Sequence, residues 1–318
     1  MPKTDEKSWE KVYWAARSHG IVAIVNDAIE LLPPEQQPQG DIALSWALSA
    51  ERTRHHYHRQ EETLSNIREK AESIGLDYVT FKGLALARYY PVPDSRACGD
   101  IDIYFLGPNG YKEGNAFLGD PEAGKDGKHS EIEVNGVIFE NHQHFLDLNY
   151  RSQKRAESYL VKSLSQSINH LLPPMADMVY NLMHTVGHLT AKYKLPLRNI
   201  VDWGMFLKGN IGILDPKECQ QITKKIGMNQ SFDILTKLAS EIIGFDLSAY
   251  IGGHIRQRDL DNLRELILNK EYFSAVPQNL SRWQKLRTRI QRNRQRRWLY
   301  RYLPSTRSER LRYISKQI

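Results

Sequence analysis

Asp100 and Asp102 have the type and spacing to hold a cation. They lie in Asp100-Ile101-Asp102-Ile103-Tyr104-Phe105, which follows Gly99 and whose β-branched and aromatic content predicts a strand. Alternate residues of a strand share a face, so both carboxylates point one way and Ile101 and Ile103 the other. Two carboxylates about 7 Å apart, at roughly 3.3 Å of rise per residue, repel each other, and a shared hard cation relieves the repulsion. A small set of oxygen ligands suits Mg²⁺ or Mn²⁺, as one ion or as a closely spaced pair.

The elements that must position this pair begin with a strand at Tyr78–Phe81, ended by Lys82-Gly83. A short helix over residues 84–90 follows, closed by Pro91 and Pro93. Strand, glycine turn, helix and a strand bearing Asp-x-Asp together resemble the nucleotidyltransferase (polymerase beta-like) superfamily. Within it the chain is most similar to a poorly characterised bacterial nucleotidyltransferase family of about this length. That family's pattern is Lys-Gly after a strand, an aromatic-Pro pair, an arginine and Asp-Ile-Asp. Here these are Lys82-Gly83, Tyr90-Pro91, Arg96 and Asp100-Ile101-Asp102. Most of the superfamily carries Gly-Ser where this chain has Lys82-Gly83.

The resemblance implies an α+β fold, a nucleotidyltransferase core with a mixed sheet embedded in a mostly helical surround. It implies that Asp100 and Asp102 hold Mg²⁺ or Mn²⁺ on a nucleoside triphosphate. Gly83 would let the phosphates approach the backbone, and Lys82 or Arg96 would neutralise them. A third carboxylate is expected from a later strand, where the family has an acid, a spacer and a histidine. Glu140, Asn141 and His142 match, so Glu140 is the expected third ligand, with Glu131 and Glu133 as alternatives. His142, His184, His188 and Arg198 are the substrate contacts the resemblance suggests, and the acceptor is unidentified. The rival reading is a binding module that kept the fold, lost turnover and holds a polyanion or protein partner.

The chain has 318 residues, 41% hydrophobic and 25% charged, with no run of about 20 apolar residues to span a membrane. Its start, MPKTDEKSWEK, has no apolar signal core, so a cytoplasmic protein is expected. Cys98 and Cys219 are too few for a disulfide framework. The net charge of +7 is uneven, because residues 281–318 hold thirteen Lys or Arg and one acid, Glu309. This basic tail, interleaved with Trp283, Trp298, Tyr300, Tyr302 and Tyr313, suits either contact with a polyanion or a packed helix with a basic outer face. The expected organisation is a helical region over 1–75, the core over 76–150, a helical domain over 151–280 and the tail.

Elsewhere, apolar periodicity predicts helices over 8–18, 21–31 and 41–75, the last with Leu44, Ala47, Leu48, Leu64, Ile67, Ala71 and Ile74 on its apolar side. His55, His56 and His58 read as part of its polar face. The glycine-rich residues 107–130 read as a mobile insertion with a short central helix. Asn135-Gly136 predicts a hairpin between strands at 130–134 and 137–145. From 155 onward the pattern is helical. His184 and His188 share a face but lack the Glu of a His-Glu-x-x-His zinc site. Arg198 is placed to meet a phosphate or to pair with Asp202 four residues on.

Overall fold

The computed structural model describes residues 6–124, 127, 129–191, 195–268, 281–295 and 297–302. They fall into two compact units. The first takes in the described residues of Met1–Phe145, Ser163–Pro173 and Pro196–Arg198, and the second those of Leu146–Lys162, Pro174–Leu195 and Asn199–Ile318.

Three helices open the first unit: α1 (Glu6–His19), α2 (Val22–Glu30) and α3 (Gly40–Ile74). Trp9, Tyr13, Val22, Ile29, Ile42 and Trp46 form one apolar cluster, with the Trp46 ring edge-on to Trp9 and Tyr13. The first half of α3 therefore buries Ile42, Trp46 and Ala50, four residues apart, and leaves Leu44 and Leu48 exposed. The expected Leu44–Leu48 side loses because a tryptophan removes more apolar area from water than the smaller residues flanking it. Leu64, Ile67 and Ala71 are buried as expected, whereas Ile74 at the last turn is exposed. Gly75, at φ +69°, caps α3: its N–H donates to the Glu72 carbonyl and that of Leu76 to the Ala71 carbonyl.

The sheet has four strands, β1 (Tyr78–Phe81), β2 (Ile101–Phe105), β3 (His129–Val134) and β4 (Val137–His142), in the order β1-β2-β4-β3. β2 pairs parallel to β4, and the other two pairings are antiparallel, so the sheet is mixed. Tyr78, Ile101, Ile103, Phe105, Ile132, Val137 and Phe139 form one core with Leu64, Ile67 and Ala71 of α3. Alternation then sends Asp102 to the opposite face. The fold is the expected α+β arrangement, a mixed sheet in a mostly helical protein.

Two short connections carry the site. Between β1 and β2 lies α4 (Gly83–Ala87) and a 3-10 turn at Pro93–Ser95. Between β2 and β3 lies α5 (Gly110–Leu118), in the stretch expected as an insertion. It is built into the core. Gly110 and Gly114, four residues apart, face Phe105, and a Cβ at either would collide with that residue. The glycines that look like loop composition are what let the helix lie directly on β2.

The second unit is helical. It holds α6 (Arg151–Ser163, whose last residue belongs to the first unit), α7 (Pro174–Ala191), α8 (Leu197–Gly209, whose first two residues belong to the first unit), α9 (Pro216–Lys225), α10 (Asn229–Ile243), α11 (Gln257–Leu268) and α12 (Arg282–Gln295). Its core includes Trp203, Phe206, Phe232 and Leu235, and the Trp203 indole donates to Thr236 Oγ1 at 3.1 Å. Asp215 caps α9 by accepting from the Lys217 and Glu218 N–H groups. Part of the basic tail is packed: Leu299 and Tyr302 are buried, and the Tyr302 hydroxyl donates to Asp259 Oδ2 at 2.9 Å. Trp283 on α12 is 81% exposed. Tyr313 and the rest of 303–318 lie outside the described residues. No helix among the described residues is long and apolar enough to cross a membrane.

Candidate metal centre

The register lines up Phe81, Asp102, Glu140 and Glu131 across the four strands, and His142 with His129 two residues further along β4 and β3. Residues two apart on a strand share a face, so these carboxylates and imidazoles gather on the side away from α3. Asp102 is only 1% exposed. Its Oδ1 accepts from Lys82 Nζ at 2.6 Å and faces His142 Nε2 at 2.9 Å. Its Oδ2 is buried with no hydrogen-bond partner. Glu140 Oε2 stands 3.4 Å from the same His142 nitrogen.

The orientation of His142 follows from its other nitrogen. Nδ1 faces the His144 carbonyl at 3.3 Å. A carbonyl only accepts, so Nδ1 carries a proton and donates it. Nε2 then meets two carboxylates either as an imidazolium N–H or as a lone pair on a cation, an arrangement like that of metal-ligating histidines. Ligand atoms of Asp102, Glu140 and His142 all lie within 4.8 Å of one another. A buried carboxylate oxygen without a partner, a second carboxylate and an oriented imidazole fit a divalent ion.

The electrostatics of the cluster follow from its own side chains. Burial opposes ionisation of Asp102, but the Lys82 charge and the His142 hydrogen bond overcome it and hold the pKa at about 2. The His142 hydrogen bond also lowers that of Glu140, against its burial. Burial works against the His142 cation, yet hydrogen bonds to Asp102 and Glu140 raise its pKa. Asp100, just before β2, is pushed up to about 6 by burial, by the Asp102 charge and by donating to Glu140. The residues grouped within reach of one ion are thus Asp102, Glu140 and His142, and Asp100 stands beside them, hydrogen-bonded to Glu140.

Several devices fix these groups. Lys82 and Gly83 both have positive φ, +55° and +24°, which turns β1 into α4 and aims Lys82 at Asp102. A Cβ on Gly83 would come within 3.1 Å of the Asp100 carbonyl, so the close neighbour of this glycine is the aspartate's own backbone. The polar face of α3 holds the approach to Asp100. His56 Nε2 and Gln60 Nε2 reach the Gly99 carbonyl at 3.1 and 3.0 Å, and His58 Nε2 lies 3.2 Å from Asp94. The Arg198 guanidinium donates to the Ala97 carbonyl at 2.8 Å, and buried Arg96 lies against Cys98 at 3.2 Å. On the other side, Asn141 donates to the Tyr111 carbonyl and to Asn115 Oδ1, which also accepts from Ser130. Helix α5 thereby clamps β4 between Glu140 and His142.

The structure therefore brings Lys82, Gly83, Asp100, Asp102, Glu140 and His142 together, with Arg96 in the segment leading to Asp100 and Arg198 of α8 bonded to the Ala97 carbonyl of that segment. His184 and His188 lie on α7 in the second unit, their rings 4.6 Å apart and His184 stacked on Tyr180. Glu131 flanks Glu140, while Glu133 pairs with Ile138 further along the hairpin and is exposed. His129, Asn115 and the role of Asn141 are absent from the sequence reading. His129 was within its reach: a two-residue Asn135-Gly136 turn pairs Val134 with Val137, and counting back sets His129 opposite His142.

Residues 5–244 match a protein family described as "Uncharacterised nucleotidyltransferase". The chain belongs to that family. The matched span contains the whole sheet and all the residues of the metal-ligand cluster. No curated protein and no solved structure matches the chain.

Proposed function

We propose that the protein transfers a nucleotidyl group from a nucleoside triphosphate to an acceptor, using Mg²⁺ or Mn²⁺ held by Asp102 and Glu140 with Asp100 beside them. The observation that carries this reading is the buried Asp102 carboxylate, whose Oδ2 has no hydrogen-bond partner, in a cluster whose Asp102, Glu140 and His142 ligand atoms lie within 4.8 Å of one another. Family membership supplies the class of chemistry. In such a transfer an acceptor oxygen bonds to the α-phosphorus, the bond to pyrophosphate breaks, and the acceptor's proton leaves to base or solvent. A bound divalent ion would screen the triphosphate and stabilise charge on the transferring group. Lys82, already at the carboxylates, is the cation best placed to meet a phosphate oxygen once an ion takes over the charge of Asp102. The Nδ1–H of His142, held by the His144 carbonyl, keeps Nε2 directed at the two carboxylates.

One observation favours a second reading. The Lys82 ammonium pairs with Asp102 Oδ1 at 2.6 Å and itself balances the charge of that carboxylate, as a module that retained the fold and lost turnover would require. In that case the basic α12 would serve contact with a polyanion or partner. Incubation of the full chain with each nucleoside triphosphate and Mn²⁺ separates the two. Metal-dependent pyrophosphate release, absent from Asp102→Asn, supports the enzyme. Equal release from both proteins, or none with any triphosphate when a cell extract is added to supply acceptors, overturns it in favour of the module.

A further inference from the structure

A cavity of about 420 Å³ opens within the first unit, between α3, α4 and the segment that lies along the outer edge of β1. Tyr57, Glu61, Leu64, Ser65 and Arg68 recur at helical spacing and give it one stripe of α3. Leu84 and Arg88, four residues apart, give it the α4 wall. A constrained turn closes the end. Asn169 and His170 both take left-handed φ, +54° and +59°, which residues with a Cβ rarely hold unless their surroundings impose it. Here the His170 carbonyl accepts from the Thr80 N–H at 2.8 Å, and the His170 ring stacks on Tyr78 with centroids 4.3 Å apart. Leu171 bridges to Thr80, so Asn169 and Leu171 are fixed against the cavity.

The cavity lies on the other side of the sheet from the metal cluster. Thr80 pairs with Ile103, which packs on the α3 side, whereas the next pair, Phe81 with Asp102, faces away from α3. Its chemistry differs too. Leu64, Leu84 and Leu171 make apolar walls, and Arg68 and Arg88 bring two guanidinium groups. Arg88 Nη2 donates to the Tyr89 hydroxyl at 2.7 Å and the group lies 4.7 Å over that ring, which fixes its position. Burial raises the Tyr78 pKa and the Arg68 charge counters it, which sets Arg68 beside Tyr78. Glu61, the acid among the lining residues, accepts from the Tyr57 hydroxyl at 2.9 Å and lies 3.6 Å from His58. The cavity therefore joins a net positive charge to apolar walls. We propose that it binds a small organic anion, a carboxylate or phosphate group on an apolar body, with Arg68 and Arg88 as the cationic contacts. The planar fork of a guanidinium matches the oxygens of either group. The volume falls within the roughly 300–1,000 Å³ of small-molecule sites. This site needs no metal ion and stands apart from the nucleotidyl-transfer reading.

Phenyl phosphate and benzoate are the probes, in EDTA so that no divalent ion takes part. Calorimetry on the full chain should find at least one of them bound, one per chain, and the tighter of the two tells phosphate from carboxylate. Benzyl alcohol, with a similar body and no charge, should bind at least about tenfold more weakly. Arg68→Gln and Arg88→Gln alter exposed side chains, and each should weaken the tighter probe by about tenfold or more, as expected for a lost hydrogen bond to a charged group. Ser65→Phe, at another exposed position of the α3 stripe, should fill the cavity and abolish binding. Failure of both probes to bind at millimolar concentration would overturn the site. So would a probe that binds with equal affinity to the unaltered protein, to both arginine variants and to Ser65→Phe.

Discussion

Lys82 Nζ lies 2.6 Å from Asp102 Oδ1, so an ammonium group already holds the charge of the most buried carboxylate in the site. The backbone serves this contact, since Lys82 takes a positive φ that residues with a Cβ rarely adopt. A divalent ion entering the cluster would share Asp102 with that ammonium, and a triphosphate entering with the ion would give the lysine a new partner. Lys82→Ala should therefore leave Mn²⁺ binding intact or tighter and weaken triphosphate binding by about tenfold or more, given the roughly 1.5–3 kcal/mol of a hydrogen bond to a charged group. Calorimetric titration of the variant with Mn²⁺, then with a non-hydrolysable triphosphate, checks both. Unchanged triphosphate affinity would remove the lysine from the nucleotide site.

Asp100 makes stability depend on pH when metal is chelated. Its carboxyl ionises near 3.8 when unperturbed and at about 6 in the folded chain. The folded state keeps a proton that the unfolded state gives up between those values. The contribution of Asp100 is therefore fully present below about pH 4 and is lost as pH rises through about 6. Asp100→Asn cannot ionise and should escape that loss. In EDTA at pH 7 it should be more stable than the unaltered protein by about 1–2 kcal/mol, after allowance for partial exposure of the group, or a few degrees in Tm. Adding Mn²⁺ should narrow the gap. Melting curves from pH 4 to 7 that run parallel for the two proteins would contradict this.

The clamp on β4 can be broken away from any ligand. Asn115 Oδ1 accepts from Ser130 and Asn141, and its amide donates to the Ala123 carbonyl. Asn115→Ala strands those partners in a buried setting and should cost about 2–4 kcal/mol, at roughly 1–3 kcal/mol for each unsatisfied group. Because Asn141 lies between Glu140 and His142, Mn²⁺ affinity should fall as well. Urea denaturation and Mn²⁺ titration read the two effects, and an unaltered Mn²⁺ affinity with lowered stability would confine Asn115 to folding.

Much of this was legible in the residues. The alternation in Asp100–Phe105, the Asn-Gly turn and the Lys-Gly step gave the strands, the hairpin and the Asp100–Asp102 pair by short-range backbone rules, whereas the mixed sheet and Glu140 came from the family resemblance. What escaped depended on distant partners. Composition made residues 107–130 look loose, but Gly110 and Gly114 are small because Phe105 lies against them. The histidines of α3 read as a polar face, and only tertiary contact gives His56 and Gln60 the Gly99 carbonyl. Leu44 and Leu48 had helical spacing as good as that of Ile42 and Trp46, and the position of α1 and α2 decided between them.

Within the described residues the tail is packed at Leu299 and Tyr302 and exposed at Trp283. Tyr302 is anchored to Asp259, and its carbonyl accepts from the Ser231 hydroxyl at 2.8 Å, while α12 exposes Trp283 among arginines. Deleting residues 281–318 should therefore cost stability. Tyr302→Phe, which removes one buried hydrogen bond, should cost about 1 kcal/mol. Replacing Arg282, Arg287 and Arg294 by Gln should preserve stability and weaken salt-dependent binding to a polyanion such as heparin. Unchanged heparin affinity and salt slope would leave α12 as a structural element.

The central claim is that Asp102 holds a divalent ion through which the protein binds a nucleoside triphosphate. Calorimetry of Mn²⁺ with a non-hydrolysable triphosphate, on the unaltered chain and on Asp102→Asn, tests it most directly. The substitution keeps the size of the side chain and removes its charge. The account predicts Mn²⁺-dependent triphosphate binding by the unaltered protein and a loss of at least a hundredfold in Asp102→Asn, as expected when roughly 3 kcal/mol of a buried charged contact is removed. Equal Mn²⁺ and triphosphate affinity in the two proteins would contradict it.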